Sequence, residues 1–123
     1  MKTVTRLRRQ QVCAQRGLCF YCCQPMWEGC PERFAHRYGL KLSRVQCLKA
    51  TTEHLLARCE GRADQPGNIV AACWFCNSRR HRTSRPLPPH DYAEEVQRRL
   101  ATGKWQGLRL LGGDPVKGAP LRG

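Results

Sequence analysis

Long apolar runs are missing from this chain, and aromatics are few: three Phe, three Trp and three Tyr in 123 residues. No stretch approaches the roughly 20 apolar residues that a spanning helix needs, so that class of membrane protein is excluded. The N-terminus carries basic residues but no apolar signal core, which places the chain in the cytoplasm. A modest core in a chain this short implies one domain and some further staple for the fold. Acidic residues are also scarce. Nine Asp plus Glu stand against 22 Lys plus Arg, a net charge of +13. Arginine dominates the excess, and its planar fork suits bidentate contact with phosphate. A membrane surface is polyanionic too, but no basic helix with a long apolar face is present, so nucleic acid is the expected partner.

Cysteine is what the chain has in plenty. Nine cysteines without a signal segment, in odd number and arranged partly as two C-x-x-C pairs, argue for zinc in a reducing compartment rather than for a disulfide framework. The pairs are Cys19/Cys22, in CFYC, and Cys73/Cys76, in CWFC. Cys23 adjoins the first pair, so Cys19 with Cys23 is a second feasible pairing; the spacing favours Cys22. Four thiolates make a closed tetrahedral site with no position left for water, hence a structural one. Buried free thiols are the plainer reading, and the second pair weighs against it.

Cap residues and periodicity divide the chain. Residues 2–16 read as a basic amphipathic helix stopped by Gly17, with Val4, Leu7, Val12 and Cys13 toward one side. Residues 24–29 look like the return of a short hairpin with Pro25 in the turn and Met26 and Trp27 in the core. A helix over 31–39 has Pro31 at its first position and Gly39 at its end. A second short helix over 43–49 takes Ser43 as its cap. The span 30–49 thus reads as a helical insertion between the two cysteine pairs. Thr51 and Thr52 favour a strand running into Glu53-His54, and residues 68–72 form the returning strand. A helix starts inside the second pair, at Trp74. Prolines 86, 88 and 89 end it, and residues 90–102 form a covering helix. These elements make an α+β chain, with one domain over 1–103 and a tail over 104–123 that docks in part.

The densest chemistry lies in residues 51–82. Glu53 offers a hard oxygen, Asn77 an amide oxygen and His81 an imidazole nitrogen, with Asn77 and His81 four apart on one helix. Such a set suits an open site for magnesium, manganese, nickel or zinc. His54 follows Glu53 on the strand and should point to the other face. A neutral imidazole there is a candidate base for in-line attack of water on phosphorus. Asn68 reads as a brace across the intervening loop. Arg58, Arg62, Arg79, Arg80 and Arg82 flank these residues and would position phosphates. Each residue has a bland reading, as a surface acid, a structural histidine, a turn or a solvated helix face. Their combination beside a cysteine pair outweighs these.

CFYC, TEHLLARCEG and NIVAACWFCNSRRH, taken in that order, resemble an HNH endonuclease of the zinc-containing type over roughly residues 13–83. The resemblance implies a ββα-metal core on a treble-clef-like zinc scaffold and metal-dependent cleavage of double-stranded DNA. It implies His54 as general base, Asn68 as the middle asparagine of the catalytic set, and Glu53, Asn77 and His81 as ligands of the catalytic divalent ion. The chain departs from many relatives where Gly61 is followed by Arg62 and where Cys59 replaces a polar residue.

Two further classes compete. A zinc-stabilised nucleic-acid-binding module without catalysis fits the charge and the cysteines equally well, but needs none of Glu53, His54, Asn77 and His81. A thiol oxidoreductase using C-x-x-C lacks the thioredoxin-like pattern around it.

Overall fold

A two-stranded antiparallel hairpin lies at the centre, with α1 and α4 packed directly on it. The computed structural model describes residues 2–56 and 64–110. In chain order these form α1 (Thr3–Ala14), α2 (Pro31–Tyr38), α3 (Leu42–Val45) running into a 3-10 turn (Gln46–Leu48), β1 (Ala50–His54), a second 3-10 turn (Pro66–Asn68), β2 (Ile69–Cys73), α4 (Trp74–Arg80) and α5 (Pro89–Ala101). β1 and β2 pair from Ala50 opposite Cys73 to His54 opposite Ile69. All five residues of β2 are buried, which accounts for its unbroken apolar sequence.

Side-chain amides close what the backbone leaves open. On the outer edge of β2, Gln15 accepts from the Ala71 N–H at 3.0 Å and donates to its carbonyl at 2.8 Å. Gln15 thereby stands in for a missing strand and blunts an exposed edge. At the loop end of the hairpin, Asn68 does the same for Leu56, accepting from its N–H at 2.7 Å and donating to its carbonyl at 3.2 Å. The ladder is thus carried past His54, the residue the loop must hold.

Caps set some of the helices and not others. α2 begins at Pro31 and ends on Gly39, whose left-handed φ of 63° favours glycine. The Cys30 sulfur caps it by accepting from the Arg33 N–H. Ser43, by contrast, caps nothing: it lies inside α3, and Lys41 occupies the N-cap position with no side-chain bond. The next segment explains the shift. Trp27 runs beside the start of β1, exchanging backbone bonds with Leu48 and Ala50, while its indole N–H donates to the Val45 carbonyl at 2.7 Å. The position of α3 is therefore set by the Trp27 contact rather than by a local cap.

The core gathers Tyr21, Met26, Phe34, Val45, Leu48, Ala71, Tyr92, Val96 and Leu108 around the cysteine pairs. α5 lies across them: the Tyr92 hydroxyl donates to the Cys76 carbonyl at 2.7 Å and the Gln97 amide to the Tyr21 carbonyl at 2.8 Å. Residues 104–110 continue onto the same core, with Gln106 and Leu108 buried. No helix among the described residues is long and apolar enough to cross a membrane.

Candidate metal centre and adjoining polar site

Each cysteine pair sits in a turn that aims both sulfurs inward. In the first, the Cys23 N–H bonds the Cys19 carbonyl, and Cys23 itself takes a φ of 65°, a left-handed conformation that turns the chain back toward Pro25. In the second, Cys73 ends β2 and caps α4, its sulfur accepting from the Cys76 N–H at 3.4 Å. The four sulfurs of Cys19, Cys22, Cys73 and Cys76 lie within 4.8 Å of one another, all on buried residues. A tetrahedral site with metal–sulfur bonds of about 2.3 Å has edges of about 3.8 Å, and Cys22 and Cys73 stand 3.8 Å apart. The tetrad can therefore hold a structural metal such as zinc. Cys23 is not among the four sulfurs.

The electrostatics of the tetrad call for a cation. Burial pushes the Cys19 thiol up, but hydrogen bonds from Cys22, Cys73 and Cys76 and from the Cys73 backbone outweigh it and hold the group well below the ordinary thiol range. The Tyr21, Cys22 and Cys73 N–H groups all point at the Cys19 sulfur, at 3.4, 3.5 and 3.2 Å. The same bonding with Cys19 and Cys73 raises Cys22, and burial together with the neighbouring sulfurs raises Cys76. The shared bonding thus favours the charged form at Cys19 and the neutral form at Cys22 and Cys76. A divalent ion is what allows all four to ionise together.

Beside this centre lies a second polar cluster, built on Glu53. Its carboxylate is 1% exposed and fully engaged. Oε2 accepts from the Tyr21 hydroxyl at 2.7 Å and from Arg80 Nη1 at 2.9 Å. Oε1 meets His81 Nε2 at 2.9 Å. The His81 side chain is 42% exposed, so the cluster runs from the core out to solvent. Tyr21 links the two centres, because its backbone N–H serves the Cys19 sulfur and its hydroxyl serves Glu53. Burial, then the Glu53 charge, drives the Tyr21 phenol far above its ordinary value, so it stays a donor.

The expected site residues divide accordingly. Glu53 on β1 and His81, the C-cap residue of α4, come together. Asn77 is seated apart from them, donating to the Thr51 hydroxyl at 3.0 Å and the Thr52 carbonyl at 2.9 Å, where it hooks α4 onto β1. His54 points away from Glu53, as strand alternation requires, and its Nε2 pairs with Asp64 Oδ1 at 2.9 Å. Asn68 spans the loop as described.

Arg80 needs a correction. Sequence reasoning put it among the phosphate-facing arginines, yet it is 5% exposed. Besides Glu53 it donates to the Leu87 carbonyl through Nε and Nη2, and to the His54 and Leu55 carbonyls. It ties the proline-rich connector to the end of β1 and has no donor left for a ligand. Arg79 and Arg82 are exposed, with the Arg79 guanidinium 4.2 Å from the centre of the Phe75 ring. Arg58 and Arg62 lie outside the described residues. Tyr21 and Asp64 escaped the sequence reading: Tyr21 looks like spacer between two cysteines, and Asp64 like one polar loop residue among several.

A Glu53 oxygen and a His81 nitrogen 2.9 Å apart match two neighbouring positions on an octahedral ion with bonds of about 2.1 Å. The same 2.9 Å is an ordinary hydrogen-bond distance, and the group of three or more metal-ligating side chains found among the described residues is the cysteine tetrad. Both hydrogen bonds of Asn77 use its amide nitrogen, so its amide oxygen is the atom that could serve as a third ligand.

Together these features define a small α+β chain organised around a four-cysteine centre that can bind metal. No protein-family model, curated protein or solved structure matches it.

Proposed function

We propose that this chain is a metal-dependent endonuclease of the HNH type, hydrolysing phosphodiester bonds in double-stranded DNA. One observation carries the reading. A buried carboxylate on a strand, Glu53, is clamped through one oxygen by Tyr21 and Arg80 and presents the other to the half-exposed His81, while His54 follows it in sequence, paired with Asp64.

Glu53 and His81, with Asn77, would hold a catalytic magnesium, manganese, nickel or zinc ion. When bound, such an ion stabilises charge on the phosphate and on the leaving oxygen. The remaining work falls to the chain's own side chains. With Nε2–H donated to Asp64, the imidazole of His54 keeps its lone pair on Nδ1 and can take a proton from the attacking water. Asn68 holds the loop that carries this pair. Arg79 and Arg82, both on the exposed side of the α4 terminus, meet phosphates without reading bases. The structural metal at Cys19, Cys22, Cys73 and Cys76 keeps β1, β2 and α4 in register.

The Arg80–Glu53 ion pair favours a second reading. A carboxylate already neutralised by a buried guanidinium and seated without Asn77 suits a zinc-stabilised nucleic-acid-binding module with no catalysis. A supercoiled-plasmid nicking assay with each metal, run beside a DNA-binding assay, separates the two. We expect nicking by the wild type and a loss of about 100-fold or more in His54→Ala, with binding and cysteine-bound metal intact. Equal nicking by both would refute His54 as the base. Binding without nicking under any metal would select the second reading.

A further inference from the structure

The cysteine centre is not completed by its own two turns. The Trp105 indole N–H donates to Cys76 Sγ at 3.3 Å, and the Gln106 amide donates to Cys22 Sγ at 3.4 Å. One sulfur from each pair thus takes a donor from a segment beyond the last helix. We propose that residues 104–110 form a strap coupled to the metal: Trp105 and Gln106 are positioning residues of the four-cysteine centre, and the strap holds most tightly when the centre is loaded.

Two physical arguments support the coupling. Four thiolates on a divalent ion leave a net negative charge in the core, and each N–H directed at a sulfur offsets part of it. A thiolate is a strong, charge-assisted acceptor, whereas a neutral thiol is a weak one. Metal-loaded sulfurs therefore grip the two donors harder than protonated ones. The second argument is Gln106 itself. It is 6% exposed, and its Oε1 is a buried polar atom with no hydrogen-bond partner. Burying an amide with its oxygen orphaned is costly, and the contact its nitrogen makes with Cys22 Sγ offsets that cost when the sulfur is a metal-bound thiolate.

The strap's other attachments reach elements that the metal itself organises. Arg44 Nη2 donates to the Gln106 carbonyl at 2.7 Å, and the Leu110 N–H donates to Gln24 Oε1 at 2.7 Å. The Trp105 ring meets Phe75 edge-on at 5.1 Å, and Tyr92 lies 6.3 Å away. Phe75 lies within the second cysteine pair, and Gln24 directly follows the first turn. Metal binding and strap docking therefore share partners, and linkage makes their effects on each other equal.

The inference is independent of nuclease activity and is tested without it, on the full-length chain loaded with cobalt(II) or zinc. Gln106→Met keeps the side-chain length while removing both the donor and the orphaned oxygen; Trp105→Phe keeps an aromatic ring but removes its N–H. In the cobalt forms we expect the sulfur-to-cobalt charge-transfer bands to move to lower energy in both variants, because a thiolate that loses a donor becomes more electron-rich. In the zinc forms, release to a competing chelator should quicken about tenfold, the scale of lost outer donors at metal sites. Hydrogen exchange at the Leu110 amide should rise with it, while the β1–β2 amides stay protected. Unchanged band energies and release rates in both variants would overturn the proposal, leaving the strap held by packing alone.

Discussion

Replacing Arg80 with methionine tests the largest departure of the folded chain from its sequence pattern. The guanidinium and the Glu53 carboxylate form an ion pair at 2.9 Å whose side chains are 4% and 1% exposed. Methionine fills the space of the arginine stem but leaves a buried carboxylate without its cation. Breaking such a pair from one side costs about 3–5 kcal/mol, most of it the penalty for the uncompensated charge. The released Leu87, Leu55 and His54 carbonyls add to this where water cannot reach them. Against a total stability of about 5–15 kcal/mol for an ordinary domain, the variant should be marginal. An exposed phosphate-binding arginine would behave differently, shifting stability by no more than about 0.5 kcal/mol while weakening DNA binding. The assay is urea unfolding of the metal-saturated protein, followed by tryptophan fluorescence, for Arg80→Met, Glu53→Gln and the double variant. The double variant should recover much of the loss, because it removes both charges. A single variant within about 0.5 kcal/mol of wild type, with equal metal content, would refute the buried-pair argument.

Tyr21→Phe should cost about 1.5–3 kcal/mol, the range for a hydrogen bond to a charged group, read from the same unfolding curves; a loss near zero would mean that Arg80 alone satisfies Glu53 Oε2. Cys76→Ser should abolish stoichiometric metal and lower the folded fraction together, measured by elemental analysis and circular dichroism. Full metal content in that variant would show that the four buried sulfurs are not the ligand set.

Much of the scaffold was legible from spacing. A tetrahedral ion needs two sulfurs from each tight turn, so C-x-x-C pairs announce themselves locally whatever the distance between them. α2 was legible in the same way, because Pro31 and Gly39 impose backbone angles on their own. The polar cluster was only half legible. Glu53 and His81 stand out by residue type, but the hook that Asn77 makes on Thr51 and Thr52 depends on where α4 crosses β1. Ser43 failed as a cap because the Trp27 indole, far off in sequence, set the position of α3.

The division between sequence and tertiary structure is clearest in the run Ser78-Arg79-Arg80-His81-Arg82. By itself the sequence determined the positive charge, the four thiols in two paired turns, and an α+β order of elements with an acid and a histidine side by side on a strand. Each of these follows from residue type and short-range geometry. Only the tertiary structure decided that, of adjacent arginines, Arg79 faces solvent and Arg80 is buried against Glu53. Neighbouring helix positions lie about 100° apart, so what each faces depends on the element packed alongside. The same holds for Tyr21, Trp105 and Gln106. Their donors matter because folding carries them to a carboxylate and two sulfurs that no local pattern places beside them.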